Sequence, residues 1–162
     1  MSEPIVVRLC EAADVEVLAR LEPHANAHYA ANHYALSQSE DYFFAVAFRG
    51  AEPLGSSVLD CRVSKLQPEL KSLWVYPNAR RQGAARALTS FLEQVAAGRG
   101  FREVFLRVDP QNGAAIPMYI SLDYTPTGDH RETQYEFVDA AGMRHTRQEI
   151  DAIYRKSLLI GR

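Results

Sequence analysis

The feature that most constrains this chain lies between residues 69 and 95, where one hydrophobic period gives way to another. Glu69 to Tyr76 reads as a strand, and Pro77-Asn78 ends it. Arg80-Arg81-Gln82-Gly83-Ala84-Ala85 follows and leads into apolar residues at Ala87, Leu88, Phe91, Leu92 and Val95, which is helical spacing, stopped by Gly98 and Gly100. A strand feeding a helix through a glycine-containing turn is a joint of layered α/β structure. The start of such a helix carries unpaired N–H groups and about half a positive charge. Glycine lets an anion approach those groups closely. Arg80 and Arg81 place two guanidinium groups at the same end, where cations oppose the helix dipole. A diphosphate seated between them removes that conflict; a solvated surface turn is the other reading. The turn is neither a Gly-Lys-Ser/Thr phosphate loop nor a Gly-x-Gly-x-x-Gly dinucleotide turn.

The elements on either side have short joints and show no repeat, linker or low-complexity tract, so residues 1–162 are expected to form one α/β domain. Ile5 to Leu9 reads as a strand, Glu11 to Leu21 as a helix broken by Pro23, and Ala25 to Leu36 as a second helix. Phe43 to Phe48 and Leu54 to Val63 read as a hairpin around Arg49-Gly50. Beyond the long helix, Phe101 to Val108 is a strand and Gly113 to Ser121 a short helix. Tyr124 to His130 and Thr133 to Val138 read as a final antiparallel pair. Thr146-x-x-Glu149 has a capping-box pattern, and Ile150, Ile153, Tyr154 and Leu158 supply an apolar face, so an extra C-terminal helix is expected. That face covers its own sheet or builds a homodimer.

Composition excludes some classes. The net charge of −2 over 162 residues lacks the basic balance of a nucleic-acid binder. Cys10 and Cys61 match no metal spacing and read as buried thiols of a reducing compartment. The start, MSEPIVVRLC, has no basic segment followed by an apolar run, and the longest apolar stretch, Tyr42 to Phe48, is too short to span a bilayer. The expected location is cytoplasmic, with neither nucleic acid nor membrane as partner.

Two stretches carry a resemblance to a known family. The run from Glu69 to Leu88, with Arg80-x-x-Gly83-x-Ala85 after Pro77, resembles the coenzyme-A-binding core of the GNAT superfamily of N-acetyltransferases. Downstream, Asn112-x-x-Ala115-x-x-x-Tyr119 followed by Leu122-Asp123-Tyr124 resembles the second signature of that family. Three positions depart from its common pattern: Asn78 stands for Glu, Arg81 for Gly, and Asp123-Tyr124 for Gly-Phe. Asp adopts the left-handed backbone that Gly serves at such a site, at some cost.

The resemblance implies a twisted, mostly antiparallel sheet of about seven strands. Helices flank it, and its fourth and fifth strands run parallel and splay. It implies acetyl-CoA as donor and direct attack of a primary amine on the thioester. The main chain of Leu73, Trp74 and Val75 would hold the pantetheine arm and thioester oxygen. Arg80, Arg81, Gln82, Gly83, Ala84, Ala85 and Arg86 would hold the diphosphate, and Asn112 the pantetheine amide. Glu69 matches the position of a catalytic glutamate, against a solvated carboxylate beside Lys71. Tyr119 matches the tyrosine that protonates the departing sulfur, against a core aromatic on Phe101 or Tyr124. The acceptor side would draw on Tyr29, His33, Tyr34 and Phe43, with His24, His28, Tyr42 and Tyr135 nearby. No His-Glu-x-x-His or cysteine partner accompanies the three histidines, so no metal is expected. Acidic residues of Ser37-Gln38-Ser39-Glu40-Asp41 either attract a cationic amine or belong to a solvated loop. The implied reaction is N-acetylation of a small-molecule amine or amino acid. The alternatives are a protein or peptide N-acetyltransferase and a non-catalytic acyl-CoA-binding domain.

Overall fold

A computed structural model of the chain describes residues 3–158. The expectations that touch residues 1–2 and the chain beyond Leu158 lie outside the described residues. Seven strands form one sheet in the order β1-β2-β3-β4-β5-β7-β6. They are β1 (Ile5–Leu9), β2 (Tyr42–Arg49), β3 (Glu52–Asp60), β4 (Glu69–Val75), β5 (Glu103–Val108), β6 (Thr125–Val138) and β7 (Arg144–Ser157). All neighbours pair antiparallel except β4 and β5, which run parallel. The helices are α1 (Ala12–Ala19), α2 (Tyr29–Leu36), α3 (Ala84–Gly98) and α4 (Ala115–Ser121).

The sheet is covered on both faces, and the sequence of β2 states why. Tyr42-Phe43-Phe44-Ala45-Val46-Ala47-Phe48 is an unbroken apolar run, the mark of a strand buried on two sides. Because side chains alternate along a strand, Tyr42, Phe44, Val46 and Phe48 pack with Leu18 of α1 and Ala30 of α2. Ala45 and Ala47 pack with Leu88, Leu92 and Ala96 of α3. These three α3 residues are fully buried at the four-residue spacing of one helix face. Cys10 and Cys61 are buried free thiols, and burial pushes them up to about 12 and about 11.

The C-terminal segment corrects the expected helix. Residues 144–157 form β7, inserted between β5 and β6. Thr146 pairs with Glu136 and Glu149 with Thr133 in the β6 ladder, so no capping box forms. The ladder with β5, from Glu103↔Ser157 to Val108↔Ala152, supplies the long-range pairing that overrides the local pattern. In its second half β7 is buried on both faces, with Asp151 and Ile153 on one and Tyr154 on the other. Burial on both faces mimics helical spacing in a sequence. Ile150, assigned to the helix's apolar face, is 59% exposed.

The final pair of strands is also redrawn. Residues 125–138 are one strand, bent by a register shift between Pro126 and His130 around Gly128 at φ 92°. The turn falls later, where the Asp139 carboxylate accepts the N–H groups of Ala141 (2.9 Å) and Met143 (3.0 Å) and Gly142 takes φ 85°. Its tip reaches the α1–α2 connection. Asn26 Nδ2 donates to Gly142 O (3.1 Å), Arg144 donates to Asn26 O (3.0 Å), and Val138 N–H donates to the Tyr29 hydroxyl (2.8 Å).

Candidate active site

The parallel pair β4–β5 touches at one register position, Glu69↔Phe105, and beyond it the strands diverge. A cleft of about 890 Å³ occupies the gap. Its walls come from Glu69 to Leu73 of β4, Arg107 to Asp109 at the end of β5, and Asn112, Ala115 and Tyr119 at α4. His33 and Leu36 of α2, Tyr42 of β2 and facing residues of β6 and β7 complete it. Ala115 and Tyr119 pack on the α3 side of the sheet, whereas Tyr42 belongs to the α1–α2 side. The splay therefore joins the two faces, so a donor and an acceptor can enter from opposite sides.

On the α3 side the site is made of main chain. Between Val58↔Lys71 and Ser56↔Trp74, β4 has one residue more than β3, a bulge with Ser72 at φ 56°. Gly55 permits this approach, since a Cβ there would stand 2.4 Å from Trp74 O and 3.0 Å from Val75 Cα. From Leu70 onward the β5-side edge of β4 has no strand partner, which leaves backbone groups for an extended ligand arm. Leu73 lines the cleft, Val75 packs toward the α3 core, and Trp74 lies half-exposed under the Arg80 guanidinium (5.1 Å to the ring centre).

The loop after β4 turns tightly into α3. Pro77–Ala79 form a single 3-10 turn, Arg81 takes φ 64° and Gly83 takes φ 98° as the residue before α3. Arg81 therefore has the left-handed backbone of the glycine that often stands there, as does Asp123 at φ 72°. The helix opens with the Ala87 N–H donating to Gly83 O (3.0 Å), so the N–H groups of Ala84, Ala85 and Arg86 precede its first intrahelical bond. No acidic residue occupies this first turn. Arg80 Nε donates to Val75 O (3.1 Å), and Gln82 Nε2 donates to Asn78 O (3.2 Å). Arg49, which the sequence reading missed, donates to Gln82 Oε1 and adds a cation to the rim. Arg81, Gln82 and Arg86 are exposed.

Glu69 is buried, which corrects the solvated reading. It faces the cleft, and Arg107 Nε donates to its Oε2 at 3.1 Å, while Lys71 instead bonds Asp60 Oδ2 at 2.7 Å. Burial raises the Glu69 carboxyl above the usual range, and Arg107 and Lys71 pull against that rise. Arg107 continues to Thr133 Oγ1 of β6 at 3.0 Å. Tyr119 lines the cleft and packs edge-on against Tyr124 at 6.2 Å, so its core-aromatic contact leaves it in the cleft wall. Burial pushes its phenol up, which keeps it protonated at neutral pH. Asn112 lines the cleft and accepts the Ala115 N–H at 3.2 Å.

The acceptor-side residues divide. His33 reaches the cleft and its Nδ1 bonds the Tyr42 hydroxyl at 2.8 Å. Burial, with Lys71 nearby, lowers His33 to about 4, so the ring is neutral at pH 7. Tyr42, also in the wall, is pushed up to about 12 by burial. Tyr34 packs into the α1–α2 core, and Tyr29 holds the hairpin tip. Phe43 lies on the other face of the sheet, under the Arg99 guanidinium at 5.4 Å, because it alternates with Tyr42. Asp60, held by Arg62 (2.8 Å) and Lys71, stays at about 2 although burial opposes its ionisation. The β7 wall carries Arg147 and Glu149, with Tyr135 from β6. Arg107 was not singled out in the sequence, and Glu149 was read only as part of a helix cap, although charges at alternate positions of a strand are their signal.

The sequence profile of the acetyltransferase (GNAT) family matches residues 10–124. No curated protein sequence matches significantly. Among solved structures, the fold is similar to the ribosomal-protein-S18-alanine N-acetyltransferase from Escherichia coli (TM-score 0.67, 21% identity, covering 98% of this chain and 96% of that one). It is similar to yncA, a putative acetyltransferase from Salmonella typhimurium with its cofactor acetyl-CoA (0.69, 21%, 99% and 97%). It is also similar to the PaiA N-acetyltransferase from Thermoplasma acidophilum in complex with coenzyme A (0.69, 19%, 95% and 99%).

Proposed function

Because the chain belongs to the acetyltransferase (GNAT) family, we propose that it moves the acetyl group of acetyl-CoA to the primary amine of a small molecule or amino acid. The observation that carries this reading is the splay, with backbone and anion loop on one side and a cleft of titratable side chains on the other. The diphosphate would rest on the N–H groups of Ala84 to Arg86 with Arg80 and Arg81 beside it, and the arm would run along the open edge of β4. The residues fit acetyl-CoA, which supplies an activated thioester; the protein supplies orientation and proton handling.

A lysine-like amine with pKa about 10.4 is neutral in about one molecule in 2,500 at pH 7, so supplying the reactive form costs roughly 4 to 5 kcal/mol. A positioned base offsets part of that cost. Glu69, whose carboxyl is raised by burial, accepts the proton that nitrogen sheds as the tetrahedral adduct collapses, directly or through water. Tyr119, a protonated phenol in the cleft wall, gives a proton to the departing sulfur.

A compact acceptor is favoured over a polypeptide by the latch between the β6–β7 tip and Asn26 and Tyr29, which ties one end of the acceptor side to the α1–α2 connection. The reading is tested with Glu69→Gln and Tyr119→Phe. Each is expected to lower kcat by about 10²-fold while acetyl-CoA affinity, read by calorimetry, stays within about threefold. Unchanged turnover in both variants removes these roles.

A further inference from the structure

Glu149 sits where two cavities meet. It lines the large cleft, and with Asp109, Pro110, Gln111, Arg147 and Ile150 it also lines a smaller open recess of about 320 Å³. Behind it on the same face of β7 stands Asp151, which is fully buried. The Tyr135 phenol donates to Asp151 Oδ2, while Oδ1 has no hydrogen-bond partner. No cation pairs with Asp151 among the described residues. A buried carboxylate with one donor and no cation is costly unless a neighbour brings a proton.

Glu149 is that neighbour. The groups that face it are Asp151 and Arg147 on its own strand, Thr133 and Tyr135 from β6, and Asp109 from the end of β5. Two carboxyl groups on one face of a strand do not both ionise readily, so the buried charge behind Glu149 makes Glu149 the better proton acceptor. Asp151 is the first cause that pushes the Glu149 carboxyl up to about 7, with burial and the charge of Asp109 adding to it and Arg147, whose Nε lies 3.4 Å from Glu149 Oε1, pulling down. Glu149 pairs across the ladder with Thr133, whose hydroxyl accepts the Arg107 guanidinium that bonds Glu69. The two acidic stations thus lie in one cleft, joined by Arg107 and Thr133. Glu69 is tied to Arg107 and Glu149 to Arg147 (3.4 Å); Glu149 in addition has buried Asp151 behind it on its own strand and an opening of its own into the smaller recess.

We propose that Glu149, backed by Asp151, is the base that takes the first proton from the acceptor's ammonium group. This rests on the acetyl-transfer reading above. One N–H bond of the ammonium breaks, its electron pair stays on nitrogen, and the proton binds a Glu149 oxygen. The neutral amine then attacks the thioester carbon and the C–S bond breaks. A second proton leaves nitrogen for Glu69, and Tyr119 protonates the sulfur. Glu69 restores the proton of Tyr119 through water, and Glu149 releases the first proton to solvent by way of the smaller recess. The balance is ammonium plus acetyl-CoA giving amide, free coenzyme A and one proton. Asp151 and Tyr135 are positioning residues.

The test is kcat/KM against pH for the wild type and variants, on an acceptor that the wild type acetylates. The base must be unprotonated, so the wild-type rate rises with pH through an acid limb near 7. Glu149→Gln is expected to lose that limb and fall about 10²-fold, with acetyl-CoA affinity retained. Asp151→Asn keeps the base but removes the neighbouring negative charge, so the limb moves to lower pH. Tyr135→Phe removes the donor to Asp151, strengthens the pair's hold on its proton and moves the limb to higher pH; it decides the matter should Asp151→Asn not fold. A Glu149→Gln enzyme with the wild-type limb and rate overturns the inference while leaving acetyl transfer standing. A wild type that acetylates no acceptor overturns both.

Discussion

The α3 side of the sheet and the β6–β7 end are made from different materials. Under α3, Leu88, Leu92 and Ala96 are fully buried against Ala45, Leu59 and Val104, and the loop that starts the helix offers backbone N–H groups. In the β6–β7 hairpin, Phe137, Met143 and Ile150 are exposed, and the cleft-facing positions carry polar groups: Tyr135, Arg147, Glu149 and buried Asp151. The first region depends on close packing and fixed dipoles, which suit a donor whose form never changes. The second depends on side chains gathered by pairing across a long ladder, which suits recognition of one acceptor amine. Replacing residues should therefore cost stability on one side and acceptor chemistry on the other.

The largest contrast comes from Leu92→Ala. A cavity under α3 is expected to lower unfolding free energy by about 4 kcal/mol, measured by denaturant titration; a loss below about 1 kcal/mol would deny this core its role. Next is Arg81→Glu, which reverses a charge at the anion loop. Acetyl-CoA affinity is expected to fall about 30-fold, equivalent to about 2 kcal/mol, with stability little changed. Equal affinity would move the diphosphate away from this loop. The smallest effect belongs to Ile150→Thr, an exposed strand position, expected to shift stability by less than about 0.5 kcal/mol. A large destabilisation there would mean that the hairpin carries packing like that under α3.

The same contrast explains how far the sequence could be read. The donor half is local: strand, turn and amphipathic helix follow each other from Glu69 to Gly98, and their signals do not depend on distant partners. One left-handed position was legible, since Asp123 takes the backbone of the glycine it replaces, whereas Ser72 and Arg81 gave no such signal. The acceptor half is non-local. Thr146 and Glu149 have the letters of a helix cap, but pairing of 144–157 with both β5 and β6 decides their state. Once that segment is misread, Asp151 cannot be seen beneath Glu149, nor the turn at Asp139 to Gly142. Phe43 was misplaced for a smaller reason: in a strand buried on both faces, composition does not tell which alternate residue meets which layer. His33 was expected on the acceptor side because the resemblance builds that side from the first two helices, but its bond to Tyr42 needed the fold.

The central claim is that the cleft between β4 and β5 brings acetyl-CoA to an amine held at the β6–β7 wall. The most direct test is release of free thiol from acetyl-CoA by the purified protein across a panel of small amines, amino acids and short peptides. The account predicts release that depends on an amine, is stronger with a compact acceptor than with peptides, and yields the N-acetylated product. Tight acetyl-CoA binding with no acceptor-dependent release anywhere in the panel would contradict it and favour an acyl-CoA-binding domain.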